Sequence, residues 1–464
     1  MITSRAFAGK NYAVLGLARS GMAAAEALLA SGARVTAWDR QDGPRQALRG
    51  RAEIADLMQE DLSRFDALVL SPGVPLNTHP IADMARAAGV PIIGDIELFA
   101  LARRDLPPHR VIGITGTNGK STTTALTHHL LEQAGVPVRL GGNIGLPILA
   151  QEPLEPQDGT GGVYVLELSS YQIDLTRSLA CEAAALINLS PDHLDRYDGF
   201  QDYAFAKARL FAMQSSGAFA VFGCEDASTS AVQASETARR AEARAVCVEK
   251  DWLAPHQAEW PSLQGPHNLQ NAAIAAALAG EMGLNRKQVL AGLASFPGLP
   301  HRMELLGEFG QVLFVNDSKA TNPASTAPAL AAYRPDPAIH GGTPRIHWIC
   351  GGLPKADNLD ECAPAFTNVA AAYTIGEAGE LFSRLLSPHC HVERCEMLCE
   401  ATKRAIAAAQ PRDVVMLSPA CASFDQFRDY EARGDDLRRI VAMLVSNAAD
   451  EADETCCGKG RSAA

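Results

Sequence analysis

A chain of 464 residues, 47% apolar and 20% charged, has the composition of a globular protein and, at roughly 150 residues per domain, room for about three. Its net charge of -12 argues against nucleic acid or an anionic membrane surface as partner, because both are bound through basic faces. No apolar run reaches the length of a membrane span, so the expectation is a cytoplasmic, monomeric protein that acts on small molecules.

The first hundred residues alternate short apolar strands with helical stretches. Tyr12–Leu17, Arg34–Trp38, Ala67–Leu70 and Val90–Ile93 read as strands and Met22–Ala30 as a helix, a pattern that implies a parallel sheet with helices on its faces. The run from Tyr12 ends in Ala-Arg-Ser-Gly, which marks a strand and turn and not a signal peptide. Gly16-Leu17-Ala18-Arg19-Ser20-Gly21 stands at the first strand-to-helix turn, where such sheets hold pyrophosphate, and Asp39 follows the next strand. Ala18 replaces the middle glycine of a dinucleotide fingerprint, so the turn supports some nucleotide more than it supports NAD.

Arg103–Pro108 reads as a polar, proline-bearing linker. Beyond it an apolar strand runs straight into Gly113-Ile114-Thr115-Gly116-Thr117-Asn118-Gly119-Lys120-Ser121-Thr122 and then a helix. Glycines let backbone N–H groups converge on an anion, and a helix N-terminus adds positive partial charge. Lys120 suits the outer phosphates of a nucleoside triphosphate, and a hydroxyl after it suits magnesium. The strict phosphate-loop spacing is not met, since Ile114 stands where a glycine is required. The strand, three glycines, Lys-Ser and helix together still point to ATP or GTP.

Val163–Leu168 and Ala183–Leu189 are strand-length runs that end in polar clusters, so Glu167 and the Asn188–Asp195 group should face the nucleotide. Glu167 suits a magnesium ligand acting with Ser121 or Thr122. His193, between Asp192 and Asp195, suits a second metal or the transferred phosphoryl group. Lys207 neighbours Phe211 on one helix face, and burial there would make its amine neutral and reactive. Ala272–Leu278 is a helix entered through His267-Asn268, and Pro297–Pro300 marks a boundary. A third α/β unit follows, in which Val312–Val315, Ile346–Cys350 and Val414–Leu417 each end in polar residues. Within it His301-Arg302 and Asp317 are placed to clasp a nucleotide from the far side.

Eleven cysteines fit a reducing compartment in which they serve as small buried apolar groups. His389, Cys390, His391, Cys395 and Cys399 cluster locally, but their spacing matches no standard zinc pattern. The acidic, small-residue tail has little to bury and is expected to be disordered. From the residues alone, an ATP-driven ligase and a nucleotide-dependent switch both remain; polar strand ends in all three units and the lack of a basic face favour the ligase.

At this point the chain resembles the Mur ligases over nearly its whole length to about residue 445. Gly-Thr-Asn-Gly-Lys-Ser-Thr is shared with folylpolyglutamate synthases as well. More specific are Glu167–Gln172, Pro191–Arg196, Asn316–Asn322 and Leu417–Phe427, and the last two resemble the D-glutamate-adding branch. Diaminopimelate- and lysine-adding members have an Asp-Asn-Pro-Arg type motif, where this chain has Asp357-Asn358-Leu359-Asp360.

The resemblance implies an α/β protein of three domains: a Rossmann-like domain at 1–100 for the UDP substrate, a central P-loop-type ATPase domain at 101–300, and a Rossmann-like amino-acid domain at 301–447, with a disordered tail at 448–464. It implies transfer of the ATP γ-phosphoryl to UDP-N-acetylmuramoyl-L-alanine and attack of D-glutamate on the acyl phosphate. Lys120 would hold phosphates in the loop Gly116, Thr117, Asn118, Gly119, Ser121 and Thr122. Ser121 and Glu167 would hold one Mg2+, and His193 and Lys207, the latter carbamylated by CO2, a second. Asn143 would contact the nucleotide substrate near its reacting carboxylate, while Asn268, Asn271, Arg302 and Asp317 would bind adenosine. Arg19, Ser20, Asp39, Arg40, Ser71, Pro72 and Gly73 would hold UDP, and Lys319, Thr321, Lys355, Ser423 and Phe424 would meet D-glutamate. Two departures, at Ala18 and around Gly351–Lys355, bear on the UDP contacts and on Lys355.

Overall fold

Three sheets follow one another along the chain in the computed structural model, which describes residues 1–156, 161–240 and 244–458. The first contains β1 (Asn11–Leu15), β2 (Arg34–Trp38), β3 (Glu53–Ile54), β4 (Ala67–Leu70) and β5 (Ile92–Ile93), all parallel in the order β3-β2-β1-β4-β5. The second contains β6 (His109–Thr115), β7 (Val138–Gly142), β8 (Gly162–Glu167), β9 (Ala183–Leu186), β10 (Phe219–Phe222) and β11 (Ala245–Cys247), again parallel, in the order β11-β10-β9-β6-β8-β7. Strands β8 and β9 are buried at every residue, as expected of parallel strands covered by helices on both faces. The third contains β12 (Glu304–Phe309), β13 (Val312–Asn316), β14 (Ile346–Gly351), β15 (Val369–Ile375), β16 (His391–Glu396) and β17 (Val414–Leu417), in the order β12-β13-β17-β14-β15-β16. Only its edge strand β12 runs antiparallel.

By packing the chain forms two compact units, Met1–Pro255 with Gln270–Ser295, and His256–Leu269 with Phe296–Ala464. The first unit holds two sheets and the second unit one.

Several expectations change in detail. The predicted linker is anchored in the first unit: Arg103 begins a 3-10 turn, Arg103–Asp105, and donates to the carboxylate of Glu182 at 2.8 Å, while Asp105 accepts from Ser4 Oγ at 2.6 Å. The expectation that every cysteine stays reduced is corrected at Cys224 and Cys247, which are disulfide-bonded. Register explains the pair, because Phe222 on β10 lies beside Cys247 on β11 and Cys224 follows two residues later. The segment expected to be a disordered tail is helical for part of its length. The last helix spans Tyr430–Gly458, in keeping with the alanines and glutamates there, both good helix formers; residues 459–464 lie outside the described residues. Among the described residues no helix is long and apolar enough to cross a membrane.

The first strand-to-helix turn shows how tightly backbone shape is set. Gly16 has a φ of 84°, and a Cβ on Gly21 would stand 1.8 Å from the Gly16 carbonyl oxygen. Gly21→Ala is therefore expected to cost at least about 2 kcal/mol, the range of overpacked sites. Gly43→Ala, whose Cβ meets nothing within 4 Å, should leave stability unchanged or slightly raised. Urea unfolding of the two variants checks both.

Candidate active site

The phosphate loop leaves β6 where its neighbours β8 and β9 also end. Gly119, with φ 82°, caps the helix Lys120–Gln133, and a Cβ there would lie 2.5 Å from Asn271 Oδ1. Asn271 thus packs on the loop, and its Oδ1 accepts from Thr123 Oγ1 at 3.2 Å. The loop is held from β9: Thr117 N donates to Asn188 O at 2.9 Å and Asn118 N to Asn188 Oδ1 at 2.8 Å. Lys120 Nζ folds back onto Gly116 O at 2.9 Å and Thr117 O at 2.7 Å, so its charge sits over the turn. Ser121, 6% exposed, and Thr122 open the helix, whose first N–H groups and dipole favour an anion.

Glu167 ends β8 beside this turn, paired in register with Ile114 of β6 and Gly142 of β7. Its Oε1 accepts from Asn143 Nδ2 at 2.9 Å. Its Oε2 is buried with no hydrogen-bond partner among the described residues. A buried carboxylate oxygen left over in this way is what a cation at the loop would use. Among the described residues no three His, Cys, Asp or Glu side chains converge. One carboxylate, a hydroxyl and phosphate oxygens are nevertheless a donor set that suits Mg2+, which keeps waters and binds with substrate phosphates. The residues present fit the ion.

His193 lies in the loop after β9 with a left-handed φ of 55°, half exposed. Burial lowers its pKa below the ordinary 6.5, and Lys207 and Lys120 lower it further against the pull of Asp192. The imidazole is therefore mostly neutral at pH 7, as a metal ligand must be. Lys207, on the helix Phe200–Ala212, is 1% exposed with Nζ 4.8 Å over the ring of Tyr203. Burial pushes its amine well below 10.5, and the charge of Lys120 adds to the effect. Tyr203 in turn shares a hydrogen bond with Thr117 Oγ1 at 3.1 Å, so this helix is tied to the phosphate loop.

In the first sheet, Asp39 binds backbone: its Oδ2 accepts from Leu17 N at 2.6 Å and its Oδ1 from Gln41 N at 2.8 Å. It shapes the turn that carries Arg19 and Ser20. Ser71 packs against the same turn, its Cβ 2.9 Å from where a Cβ on Gly16 would be, and Pro72 and Gly73 follow. Arg19 reaches across to the carbonyl of Gly145, two residues beyond Asn143. Arg40 is exposed beside Asp39. These groups lie at the ends of β1, β2 and β4, where an open parallel sheet binds its ligand.

The remaining expected residues belong to the second unit. Asn268 is 4% exposed and donates to Gln264 O at 3.1 Å. Asp317 is buried at the end of β13 and accepts from Ser418 Oγ at 2.7 Å and from Met303 N, next to Arg302, at 3.1 Å. Lys319 Nζ stands 4.0 Å over the ring of Tyr430. Lys355 Nζ and Thr321 Oγ1 are 3.4 Å apart. Leu353 and Ala422 exchange backbone hydrogen bonds of 3.0 Å, which brings the Lys355 segment alongside Ser423 and Phe424. Ser423 is 2% exposed and Phe424 69%.

Comparison with known proteins finds one family along the chain. A model described as the Mur ligase middle domain matches residues 114–279, one described as the Mur ligase glutamate ligase domain matches 301–421, and a MurD-like N-terminal domain matches 10–94. The UDP-N-acetylmuramoylalanine–D-glutamate ligase of Novosphingobium aromaticivorans is 66% identical over 96% of this chain and 98% of its own length. The chain belongs to the Mur ligase family. The equivalently named ligase of Zymomonas mobilis is 51% identical over 96% of this chain and the whole of its own. MurF ligase of Thermotoga maritima, solved in complex with ADP, shares the fold at 15% identity with a TM-score of 0.57 and 96% of each chain covered. UDP-N-acetylmuramate-alanine ligase of the same organism does so at 17% and 0.54, over 94% of this chain and 99% of its own.

Arg433 of this Mur ligase escaped sequence reasoning, and Asn316 was given no role beyond opening its motif. Arg433, 1% exposed, donates to Ser318 Oγ and O at 3.0 and 2.9 Å and to the carbonyls of Cys421 and Ala422 at 3.1 and 3.2 Å, so it pins together the segments carrying Lys319 and Ser423. Asn316 Nδ2 faces His301 Nδ1 at 3.1 Å and donates to Glu304 Oε2 at 3.0 Å. Arg433 lies in Tyr430-Glu-Ala-Arg-Gly-Asp-Asp, which reads as an exposed charged helix, so no local signal marks it.

Burial pushes the Asp317 carboxyl from 3.8 up to about 7, against the hydrogen bonds from Ser418 and Met303. Between those values the folded Mur ligase holds a proton that the unfolded chain has lost, so this contribution is complete below 3.8 and is lost as pH rises through about 7. The stability of Asp317→Asn relative to wild type should therefore rise from pH 5 to pH 8, on the order of a few kcal/mol. Denaturant unfolding across that range measures it.

Proposed function

We propose that this Mur ligase joins D-glutamate to UDP-N-acetylmuramoyl-L-alanine at the cost of ATP, as a monomer in the cytoplasm. The observation that carries the reading is the gathering of Lys120, Glu167, His193 and Lys207 around one glycine turn, in a chain 66% identical to a ligase of that name. The γ-phosphoryl passes to the alanine carboxylate, giving ADP and an acyl phosphate. The amine of D-glutamate attacks the acyl carbon, the tetrahedral intermediate expels phosphate, and the nitrogen loses a proton as the amide forms.

Such transfer is mainly positioning and neutralisation of charge. Lys120, already poised over the loop, holds the β- and γ-phosphates within the cradle of Gly116, Thr117, Asn118, Gly119, Ser121 and Thr122. Asn143, fixed by Glu167, holds the nucleotide substrate near its reacting carboxylate. Ser121 with Glu167, and His193 with Lys207, would hold two Mg2+ ions, which supply neutralisation of phosphate charge. For the second of these Lys207 takes up CO2: its buried neutral amine attacks the carbon, loses a proton and becomes an anionic carbamate. Asn268, Asn271, Arg302 and Asp317 bind the adenosine half. Arg19, Ser20, Asp39, Arg40 and Ser71–Gly73 bind UDP, with Asp39 acting through the turn it shapes. Lys319, Thr321, Lys355, Ser423 and Phe424 bind D-glutamate, whose two carboxylates suit the two lysines. Residues 1–100, 101–300 and 301–447 divide as nucleotide-sugar, ATP and amino-acid domains.

Phosphate release from ATP should require both UDP-N-acetylmuramoyl-L-alanine and D-glutamate, with L-glutamate inert. Stimulation by another amino acid would transfer the D-glutamate residues to a different substrate. In the same assay Lys120→Ala and His193→Ala should each lose activity by at least about a thousandfold, the scale of losing a charge at a transferring phosphoryl group. Lys207→Ala should be nearly inactive and partly restored by a short carboxylic acid in place of the carbamate. Failure of every such acid, together with full wild-type activity in CO2-free buffer, would remove the carbamate from the mechanism.

A further inference from the structure

The loop after β9 is tied down at both ends, and His193 stands between the ties. On the near side Asn188 holds the phosphate loop, and Ser190 N donates to Thr117 Oγ1 at 3.0 Å. On the far side the anchors come from the first sheet's substrate turn. Asn77 Nδ2 donates to Asp195 O at 2.9 Å, and Arg196 Nη2 is shared between Pro72 O and Val74 O at 3.3 Å each. Arg196 N also donates to His193 O at 2.9 Å, which closes the turn that holds His193 in its left-handed conformation.

The guanidinium of Arg196 has a second contact. Its carbon lies 4.2 Å over the ring of Tyr171, and that ring lies 5.0 Å from the imidazole of His193. Tyr171 also stacks on Tyr197 at 6.1 Å, and Tyr197 Oη donates to Asp174 at 2.8 Å. Val74, whose carbonyl Arg196 takes, packs at the other end against the glycine turn: a Cβ on Gly16 would meet Val74 Cγ2 at 3.4 Å. A continuous path of contacts therefore runs from the Gly16–Gly21 turn through Val74 and Arg196 to Tyr171 and His193. A planar guanidinium donates along its edge while stacking through its face, a geometry that a compact ammonium does not reproduce.

We propose that Arg196 is a positioning residue that couples the nucleotide-sugar turn, Ser71–Val74, to the His193 loop, so that occupation of that turn aligns His193 for phosphoryl transfer. This rests on the substrate reading above. Arg196 does not touch the reacting atoms; it acts through His193 and Tyr171. Binding of the nucleotide sugar and of an ATP analogue are then mutually reinforcing, and the reinforcement is reciprocal.

The experiment compares wild type, Arg196→Ala and Arg196→Lys in the phosphate-release assay and in calorimetric titration with a non-hydrolysable ATP analogue, with and without UDP-N-acetylmuramoyl-L-alanine. For both variants kcat is expected to fall on the order of 10- to 100-fold, the scale of a small misplacement at a reacting centre, and the KM for ATP at saturating nucleotide sugar to rise by the factor of the lost tightening. In wild type the nucleotide sugar should tighten the analogue, and in both variants that tightening should vanish while each ligand alone binds as before. Arg196→Lys retains the charge and guards against a fold defect in Arg196→Ala; a lysine variant with wild-type kcat and wild-type tightening overturns the proposal. So does a wild type whose two ligands bind independently. If wild type releases no phosphate with these substrates, the substrate reading fails and this proposal falls with it; if wild type turns over and both variants match it, only the role of Arg196 falls.

Discussion

The register of β6 between β8 and β9 is the constraint on which the reaction centre depends. Ile114 lies opposite Glu167 on one side, and Thr115 opposite Leu186 on the other, so that the glycine turn, the Glu167 carboxylate and Asn188 emerge together. A slip of one residue would turn Glu167 to the other face of the sheet and withdraw Asn188 from the amides of Thr117 and Asn118. Buried apolar strands guard against such a slip. So does Gly142, where a Cβ would stand 2.1 Å from Glu167 O. Close backbone approach there also lets Asn143 N donate to that oxygen at 2.9 Å while its side chain takes the carboxylate.

Each unit keeps ionisable groups in places that do not favour their charge. Lys207 and Arg433 are each 1% exposed, and burial lowers the pKa of both, that of Arg433 to about 10. Asp95, between Ser20 and Gln172, is raised to about 6 by burial, against hydrogen bonding that lowers it. Apolar side chains in these positions would avoid the desolvation. The groups differ in their surroundings: Arg433 satisfies four acceptors and holds loops in place, whereas Lys207 lies over the ring of Tyr203.

The two sheets of the first unit are not independent of one another. Arg196 and Asn77 attach the loop of His193 to the substrate turn, and Arg19 attaches the opposite turn to Gly145 beside Asn143. One attachment ends on Pro72 and the other begins at Arg19, both expected at the nucleotide sugar. Through these few polar contacts, occupation of one site bears on the geometry of the other.

Much of this was legible from local pattern. Apolar runs ending in glycine or polar clusters marked the strands and the side on which ligands bind, and Gly116, Gly119, Lys120 and Ser121 are sequence neighbours, so their spacing alone announced phosphate chemistry. The helix face of Lys207 and Phe211 left a buried lysine and a surface one both open, and the folded chain holds it 1% exposed. What the sequence by itself determined is therefore the order of elements, the anion-binding turn and the candidate donors. The tertiary structure alone decided that β6 lies between β8 and β9, that Arg433 is buried, that Cys224 meets Cys247, and that Arg196 reaches Pro72. These contacts join residues far apart in the chain or on strands paired out of sequence order, and side-chain type at one position carries no record of what folding brings against it.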